Sequence, residues 1–166
     1  IGDICIIGCG EEEPPVEAEV VGFRDGSVLL MAYGDVRGVG SGSVVEPTGH
    51  KLRIPVGEGL RGRTVDATGK PIDGLGDFPV KAYCDIDATC VNPLERPRIS
   101  EAMRFGIEAV DGTLTIGKGQ RIGIFSGSGV GKSTLMGMIA KNVKSDINVI
   151  ALVGERGREV KEFIEK

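Results

Sequence analysis

Length, composition and charge indicate a mildly acidic globular chain. It has 166 residues, a formal net charge of −4 and a pI of about 5.1, and 40% of its residues are hydrophobic. The mean hydropathy of +0.04 and the dispersed charges leave no uninterrupted apolar stretch of the roughly 18–20 residues that a membrane span needs. The acidic balance argues against a domain that mainly neutralises nucleic-acid phosphates. Residues 1–10 have neither the basic nor the long apolar region of a secretory signal.

The first third of the sequence, residues 1–53, has the pattern of a small β domain. Short β-like runs are separated by turn signals such as Asp25-Gly26. Several short strands spaced in this way predict an antiparallel barrel or sandwich. Nine acidic and four basic side chains give this part a net charge of −5. The predicted strands are Ile4–Ile7, Val16–Phe23, Ser27–Tyr33 and Ser43–Val45.

Residues 54–98 form a connector that is rich in glycine and proline. We predict a strand over Gly62–Ala67, followed by a turn at Thr68-Gly69-Lys70-Pro71. The spacing of the cysteines and the lone His50 do not fit a zinc site, and nothing signals the secretion that a disulfide framework accompanies. We therefore interpret the four cysteines as buried or half-buried thiols without an assigned function: Cys5, Cys9, Cys84 and Cys90.

Residues 99–166 change to alternating strand and helix patterns. Ser100 is predicted to cap a short helix through Met103–Val110. The two strands that follow are mostly apolar, and Asn148 is the exception in the second of them. Apolar strands alternating with helices predict a parallel sheet. The later predicted elements are a strand at Gln120–Phe125, a helix at Lys132–Val143, a strand at Ile147–Val153 and a helix at Arg158–Ile164.

The sharpest motif lies between the first of these strands and its helix, where a P-loop requires it. Alternating glycines let successive backbone N–H groups turn inward, forming an anion-binding nest beside a helix N-terminus. Lys132 is placed to reach the β- and γ-phosphates of ATP, and the Ser133 hydroxyl to ligate Mg²⁺. The strict pattern has glycine where this chain has Ser126, and the glycine spacing excludes a dinucleotide fingerprint. The predicted ATP/ADP-binding residues are Ser126, Gly127, Ser128, Gly129, Val130, Gly131, Lys132, Ser133 and Thr134.

A charged motif, Gly154-Glu155-Arg156-Gly157-Arg158-Glu159, follows the next predicted strand. Ligands lie beyond the carboxyl ends of the strands in an open parallel sheet, so this loop is expected on the same edge as the P-loop. Glu155 can then polarise a water for attack on the γ-phosphate, and Arg156 can contact the phosphate oxygens or orient Glu155. A mixed charge run is usually solvated surface, but its place one βα unit after a P-loop favours catalysis. The predicted catalytic residues are Glu155, Lys132 and Arg156.

Five stretches of the sequence together resemble the ATPase of the flagellar and type III protein-export apparatus, a family similar to the rotary ATP synthase β subunit. Two of them contain the P-loop and the Glu155 motif. Gly-Glu-Arg-Gly-Arg-Glu-Val resembles the export branch rather than the synthase β subunit, and the overall pattern of residues 21–45 resembles the flagellar branch. The five stretches are residues 56–66, 69–74, 105–112, 122–135 and 153–160.

The resemblance implies a fold and an activity. The fold is an N-terminal six-stranded antiparallel β-barrel followed by the first part of a RecA-like α/β P-loop NTPase domain. The implied activity is ATP hydrolysis that energises export of flagellar or type III secretion proteins. In that reaction Lys132 and Ser133 would bind phosphate and Mg²⁺, Glu155 would be the catalytic carboxylate, and Arg156 would contact the γ-phosphate region.

The resemblance also implies partners and a location. The full-length protein would be a homohexamer that works with export-apparatus and regulatory subunits, export substrates and chaperones, and without nucleic acid. It would lie in the cytoplasm, peripheral at the inner face of the cell membrane and without a transmembrane segment.

Two other functions are considered. A non-catalytic nucleotide-binding subunit of a rotary ATPase would, by the same resemblance, carry Gln at the position of Glu155. A RecA-like hexameric nucleic-acid translocase would need aromatic platforms and a basic groove in its barrel. Residues 1–53 offer Phe23 and Tyr33 and carry a net charge of −5, which disfavours that function.

We interpret the sequence as a fragment, because it begins at Ile1 inside a predicted strand and ends at Lys166 inside a predicted helix. The resemblance implies that the adenine pocket, a second carboxylate on the Mg²⁺ side and an arginine from a neighbouring subunit lie elsewhere. The 166-residue chain alone is therefore expected to show little or no ATP hydrolysis.

Overall fold

A computed structural model describes four stretches of the chain, which divides into two compact units with their boundary between Cys90 and Val91. The described stretches are residues 1–10, 13–87, 90–127 and 129–165. Within these stretches, every helix is too short or too polar to cross a membrane.

The described part of the first unit contains six strands in two antiparallel sheets. The strands are β1 Asp3–Ile7, β2 Val16–Arg24, β3 Ser27–Ala32, β4 Val45–Lys51, β5 Arg53–Val56 and β6 Ala82–Asp85. The larger sheet has the order β3-β2-β1-β4, and β5 pairs with β6. The first three strands lie where the sequence predicts them. The fourth begins at Val45, where the predicted strand ends, because the preceding residues form a turn in which the Ser43 N–H donates to the Gly40 carbonyl.

The core of the first unit lies around β1, which has a neighbouring strand on each side. Its Ile4, Cys5 and Ile7 are buried, together with Ala18 and Val20 of β2. The strands β2 and β3 are joined by Asp25-Gly26, whose φ angles of +49° and +75° fit the two-residue turn that matches strand twist. A tight local hairpin and a paired central strand therefore define this unit.

The two sheets remain separate and do not close into a barrel within the described residues. Several apolar side chains of the β2–β3 hairpin stay exposed, among them Val21, Phe23 and Val28. The resemblance implies a six-stranded barrel, but the larger sheet has four strands in the described residues, β6 lies in the predicted connector, and barrel closure is not observed. The order of the predicted fold is confirmed, since a β-rich part precedes the P-loop part.

A nearly buried ion pair organises the connector between β5 and β6. Arg63 donates from Nε and Nη2 to the carboxylate of Asp73 at 2.7 and 2.9 Å, and the two side chains are 11% and 10% exposed. Asp73 also accepts from the N–H groups of Thr64 and Leu75, each at 3.0 Å. These hydrogen bonds, foremost the one from Arg63, hold the pKa of the Asp73 carboxyl well below its usual range. The Arg63 guanidinium lies 5.0 Å from the ring centre of Phe78.

The strand predicted over Gly62–Ala67 is wrong. In this segment only Val65 makes a ladder contact, an isolated bridge to Pro71. The Asp66 carboxylate accepts hydrogen bonds from both the N–H and the hydroxyl of Thr68, at 2.8 Å each. This side-chain turn takes the backbone away from the extended conformation that a strand would need.

The four cysteines are free thiols. Cys5 and Cys9 are buried, as predicted. The prediction is wrong for Cys84 and Cys90, which are exposed. Cys84 lies on β6, a strand whose four residues are all exposed.

The described part of the second unit contains a 3₁₀ helix at Pro93–Glu95, two short strands and three α-helices. The strands and α-helices are β7 Ala102–Met103, α1 Glu108–Asp111, β8 Ile116–Gly117, α2 Lys132–Asn142 and α3 Gly157–Glu165. The strands β7 and β8 pair antiparallel, and the buried side chains of the unit are Phe105, Ile107 and Ile116. The helices predicted at Lys132–Val143 and Arg158–Ile164 are confirmed.

The helix predicted over Met103–Val110, with Ser100 as its cap, is wrong in its first half. Gly106 has a φ of +71°, in the left-handed region that a right-handed helix does not use. The Asp111 carboxylate accepts the N–H groups of Phe105 and Gly106 at 2.8 and 2.9 Å. It thereby stabilises a turn at this point, and α1 begins only after it.

The strands predicted at Gln120–Phe125 and Ile147–Val153 are also wrong. Both segments lack regular secondary structure in the described residues, and Phe125 and Val149 are 97% and 90% exposed. An apolar run becomes a buried strand only when neighbouring strands pair with its backbone and helices cover its faces. The described residues do not supply such partners, so the predicted parallel sheet is not formed among them.

Candidate nucleotide-binding site

The predicted P-loop is an open turn directly before α2. Gly129 and Gly131 have φ angles of +76° and +95°, which glycine adopts without strain. A Cβ atom at either position would meet nothing within 4 Å, so backbone conformation rather than close packing requires these glycines. The Ser126 hydroxyl donates to the Gly127 carbonyl at 3.2 Å, and Ser128 lies outside the described residues.

The helix α2 begins at Lys132, immediately after this loop. Its N-cap residue, Gly131, has no side chain to accept hydrogen bonds from the first-turn N–H groups. Those donors and the positive end of the helix dipole favour a bound anion. Val130, Ser133 and Thr134 are exposed around this N-terminus, while Lys132 is half-buried.

The structure brings the two predicted motifs together through Lys132 and Glu155. The Nζ atom of Lys132 lies 3.3 Å from Oε1 of Glu155, and their side chains are 42% and 28% exposed. An ammonium group has three N–H donors, so Lys132 retains donors for phosphate oxygens while it contacts Glu155. The lysine that the sequence predicts to bind phosphate and the carboxylate that it predicts to polarise water therefore lie side by side.

Arg156 contributes through its backbone in the described contacts. Its carbonyl accepts the N–H groups of Glu159 and Val160 at 2.8 and 3.1 Å, which starts α3. Its side chain is exposed next to Glu155. The structure thus places Arg156 beside the candidate carboxylate, at the start of a helix.

Sequence reasoning missed one link in this region. Asn148 donates from Nδ2 to the Ala140 carbonyl at 2.9 Å, and the Ser145 hydroxyl donates to Asn148 Oδ1 at 2.6 Å. The segment that leads to Glu155 is therefore tied to the last turn of the helix that begins with Lys132. The available signal was that Asn148 is the one polar residue in an otherwise apolar run.

The first unit also contains a cleft of about 680 Å³. Two of its basic side chains are already ion-paired, Lys70 with Glu17 at 3.2 Å and Arg53 with Asp85 at 2.7 Å. A phosphate would have to displace a carboxylate there without the help of a helix N-terminus. We therefore assign the candidate nucleotide site to the P-loop.

Two family models match the sequence. The ATP synthase alpha/beta family, beta-barrel domain, matches residues 1–49. The ATP synthase alpha/beta family, nucleotide-binding domain, matches residues 106–166, which include both the P-loop and Glu155.

Curated relatives and solved structures match nearly the whole chain. The chain is 54% identical over 171 residues to the flagellum-specific ATP synthase of Bacillus subtilis (strain 168), covering 100% of the chain and 38% of that protein. It is 44% identical over 165 residues to the type 3 secretion system ATPase of Xanthomonas euvesicatoria, covering 99% of the chain and 37% of that protein. The structure of the assembled ATPase EscN from the enteropathogenic E. coli type III secretion system matches with a TM-score of 0.85 and 40% identity, over 99% of this chain and 39% of that chain. The chain thus spans less than two fifths of the length of these relatives.

These matches agree with the order of the two units and with the motifs that carry the resemblance. A β-rich part precedes the first part of a nucleotide-binding domain, and the relatives are flagellar and type III proteins. The chain therefore belongs to the ATP synthase alpha/beta family, in the branch of the flagellum-specific ATP synthases and type 3 secretion system ATPases.

Proposed function

We propose that this chain is part of an ATPase that hydrolyses ATP to energise the export of flagellar or type III secretion proteins. The observation that carries the proposal is the 3.3 Å contact between Lys132 Nζ and Glu155 Oε1, which joins a phosphate-binding loop to a candidate general base. The names of the relatives support the same activity. The activity is proposed for the full-length protein, and the 166-residue chain alone is still expected to be inactive.

In this proposal the nucleotide phosphates bind along residues 126–134. Backbone N–H groups of the loop and of the first helical turn donate to the phosphate oxygens, and Lys132 reaches the β- and γ-phosphates. The exposed Ser133 hydroxyl, on the first turn beside the open glycine loop, suits Mg²⁺, which takes few protein oxygens and several from phosphate and water. When bound, Mg²⁺ would neutralise charge that develops on the β- and γ-oxygens.

Glu155 serves as the general base in this proposal. Before nucleotide binds, its carboxylate is held beside Lys132 at the edge of the site. A bound triphosphate gives Lys132 new acceptors, which frees Glu155 to orient a water and accept its proton during attack on the γ-phosphate. Arg156, the next residue, would contact the γ-phosphate region or orient Glu155.

We further propose that the full-length protein is a homohexamer that lies in the cytoplasm, peripheral at the inner face of the cell membrane. Its partners would be export-apparatus and regulatory subunits, export substrates and chaperones. Support comes from the solved structures of EscN, one of the assembled ATPase and one in complex with its central stalk EscO.

The Glu155 side chain and the charge of residues 1–53 argue against the two other functions. A non-catalytic ring subunit would have no use for a carboxylate beside Lys132. A nucleic-acid translocase would bind phosphates with its barrel, and residues 1–53 carry a net charge of −5.

The experiment that tests the proposed function is a steady-state ATPase assay of the full-length protein, with and without Mg²⁺, alongside calorimetric nucleotide binding. We expect Mg²⁺-dependent turnover together with binding. Tight nucleotide binding without turnover under either condition would instead support the non-catalytic ring subunit. Stimulation of turnover by single-stranded nucleic acid would support the translocase.

A further inference from the structure

Asn148 connects the two halves of the candidate site at the end of α2 that lies away from the P-loop. The last carbonyl groups of a helix have no partner within the helix, and Ala140 supplies one of them. Asn148 Nδ2 donates to this carbonyl at 2.9 Å, although the residue belongs to the segment that follows the helix. The bond therefore joins two segments rather than capping one.

Ser145 fixes the orientation of this side chain. Its hydroxyl donates to Asn148 Oδ1 at 2.6 Å, so the amide nitrogen is the end that faces Ala140. An aspartate would fit the same space but has no N–H group to donate at neutral pH. The link thus depends on a carboxamide at this position, not merely on a polar side chain.

The helix α2 and the segment from Asn148 to Glu155 contact each other at both ends. Lys132 and Glu155 are in contact at one end, and Ala140 and Asn148 at the other. Eight helical steps from Lys132 to Ala140 span about 12 Å, whereas seven extended steps from Asn148 to Glu155 can span up to about 25 Å. The segment before Glu155 can therefore reach farther than the helical span from Lys132 to Ala140, and an anchor at Asn148 fixes the point from which it reaches.

We propose that Asn148, oriented by Ser145, is a positioning residue that sets the placement of Glu155 relative to Lys132. This inference rests on the proposed function, because the importance of that placement comes from hydrolysis. Both hydrogen bonds are exposed to solvent, so they add little to the free energy of unfolding. Their main effect is to orient the segment that leads to Glu155. A defect in placement should then appear in turnover before it appears in melting temperature.

The test compares Asn148→Ala with Asn142→Ala in the full-length protein. Asn142 is a matched control, because its Nδ2 also donates to a carbonyl near the end of α2, Met138 at 2.8 Å, but within the helix. Asn142→Ala also retains the Cβ atom that Gly106 faces. We expect Asn148→Ala to lower kcat about tenfold, because small displacements of a catalytic group are costly, with the Kd for ATP changed less than about twofold. Asn142→Ala should change each value less than about twofold.

Two further variants keep the test decisive if Asn148→Ala folds poorly. Asn148→Asp should lower kcat at least as far as the alanine variant, since it keeps the shape and loses the donor. Ser145→Ala should lower kcat by a smaller factor, because the carboxamide remains but can rotate. An unchanged kcat in all three variants, or a lower melting temperature with no separation of kcat from Kd, would overturn the positioning role.

Limited proteolysis with trypsin separates this inference from the proposed function. If the unmodified protein binds nucleotide without hydrolysing it, the proposed function fails, and the accessibility of the segment can still be measured by cleavage after Arg156. Cleavage at this position should be faster in Asn148→Ala than in Asn142→Ala, because only the first variant releases the segment. Equal cleavage rates in the two variants would show that Asn148 does not hold it.

Discussion

The ammonium of Lys132 and the carboxylate of Glu155 lie 3.3 Å apart, although 23 positions separate the two residues in the sequence. Both side chains are partly exposed, and contacts of this kind contribute only about 0.2–1 kcal/mol. A triphosphate at a helix N-terminus offers Lys132 several charged acceptors at once. The contact can therefore keep the two side chains close together without preventing nucleotide from binding.

Replacing Glu155 with glutamine should separate binding from hydrolysis. Gln has nearly the same shape but does not accept a proton at neutral pH, so kcat should fall by about 10²–10⁴-fold. ATP affinity should stay equal or rise by up to about fivefold, since Lys132 loses a competing carboxylate. Steady-state turnover and calorimetry on the full-length protein measure the two effects.

Glu159→Gln is the control for this change, because Glu159 lies in the first turn of α3, close to Glu155 in the sequence. We expect both kcat and Kd to stay within about twofold of the unmodified protein, as is usual for substitutions away from special sites. Unchanged turnover in Glu155→Gln would remove Glu155 from the mechanism.

Lys132→Ala should weaken nucleotide binding. The β- and γ-phosphates lose a charge-assisted hydrogen bond of about 1.5–3 kcal/mol, so the Kd for ATP should rise at least about tenfold. Lys141→Ala removes the same type of side chain from the last turn of the same helix and should leave the Kd unchanged. An affinity for ATP that is equal in both variants would mean that the phosphate site lies elsewhere.

Local chemistry made part of this fold predictable from the sequence. The hairpin at Asp25-Gly26 and the helix that begins at Lys132 depend on turn glycines and on neighbouring residues, and both are observed. The P-loop motif could be recognised for the same reason, because it is one short segment between a predicted strand and a helix, while the roles of its residues stay a prediction. Glu155 does approach Lys132, although the parallel sheet whose edge the two loops were expected to share is not formed among the described residues.

What could not be predicted depends on partners that are distant in the sequence or absent from the described residues. The run Ile147–Val153 has the composition of a strand, but composition does not reveal whether a neighbour will pair with it. The Asp111 carboxylate accepts hydrogen bonds from two backbone N–H groups before α1. Helix propensities do not predict such a contact. The sequence shows that Asn148 is unusual in an apolar run, but not which group it contacts. That contact, with the Ala140 carbonyl, is visible only in the structure.

Gly69→Ala should destabilise the first unit more than Gly62→Ala does. Both glycines have left-handed φ angles, +84° and +69°, so both variants incur backbone strain of about 1–2 kcal/mol. A Cβ atom on Gly69 would also lie 2.3 Å from Cδ of the buried Pro55, whereas one on Gly62 would meet nothing within 4 Å. That overlap should add about 1–3 kcal/mol to the loss. Equal losses of unfolding free energy in the two variants, measured with denaturant, would show that Pro55 moves aside without destabilising the unit.

The ion pair of Arg63 and Asp73 should make stability depend on pH in the acid range. The pKa of Asp73 is lower in the folded chain than the ordinary value of about 3.9, so its contribution is fully present above that value. This contribution to the free energy of unfolding is lost as the pH falls below about 4 and then past the pKa of Asp73 in the folded chain. Asp73→Asn should therefore lower the melting temperature at pH 7, and its difference from the unmodified protein should shrink below pH 4.

The control for Asp73 is Asp35→Asn, which removes the carboxylate of the exposed pair with Arg37. This variant should change the melting temperature little at pH 7, because exposed ion pairs contribute little to stability. A difference between Asp73→Asn and the unmodified protein that stays constant from pH 7 to pH 3 would assign the loss to packing rather than to charge.

The strand order β3-β2-β1-β4 implies a sequence of folding events. The β2–β3 hairpin closes across two residues, whereas pairing β1 with β4 must bring Val45 to Ile7 across a long intervening chain. Chain entropy makes the longer closure costlier by roughly 2–3 kcal/mol, so the hairpin should form early and β4 should dock last. Pulse-labelled amide exchange during refolding should find β2 and β3 protected before β4, and the reverse order would contradict this pathway. The strand at the edge that forms last would also be the first to detach, which makes β4 the part of the sheet most open to pairing with another chain.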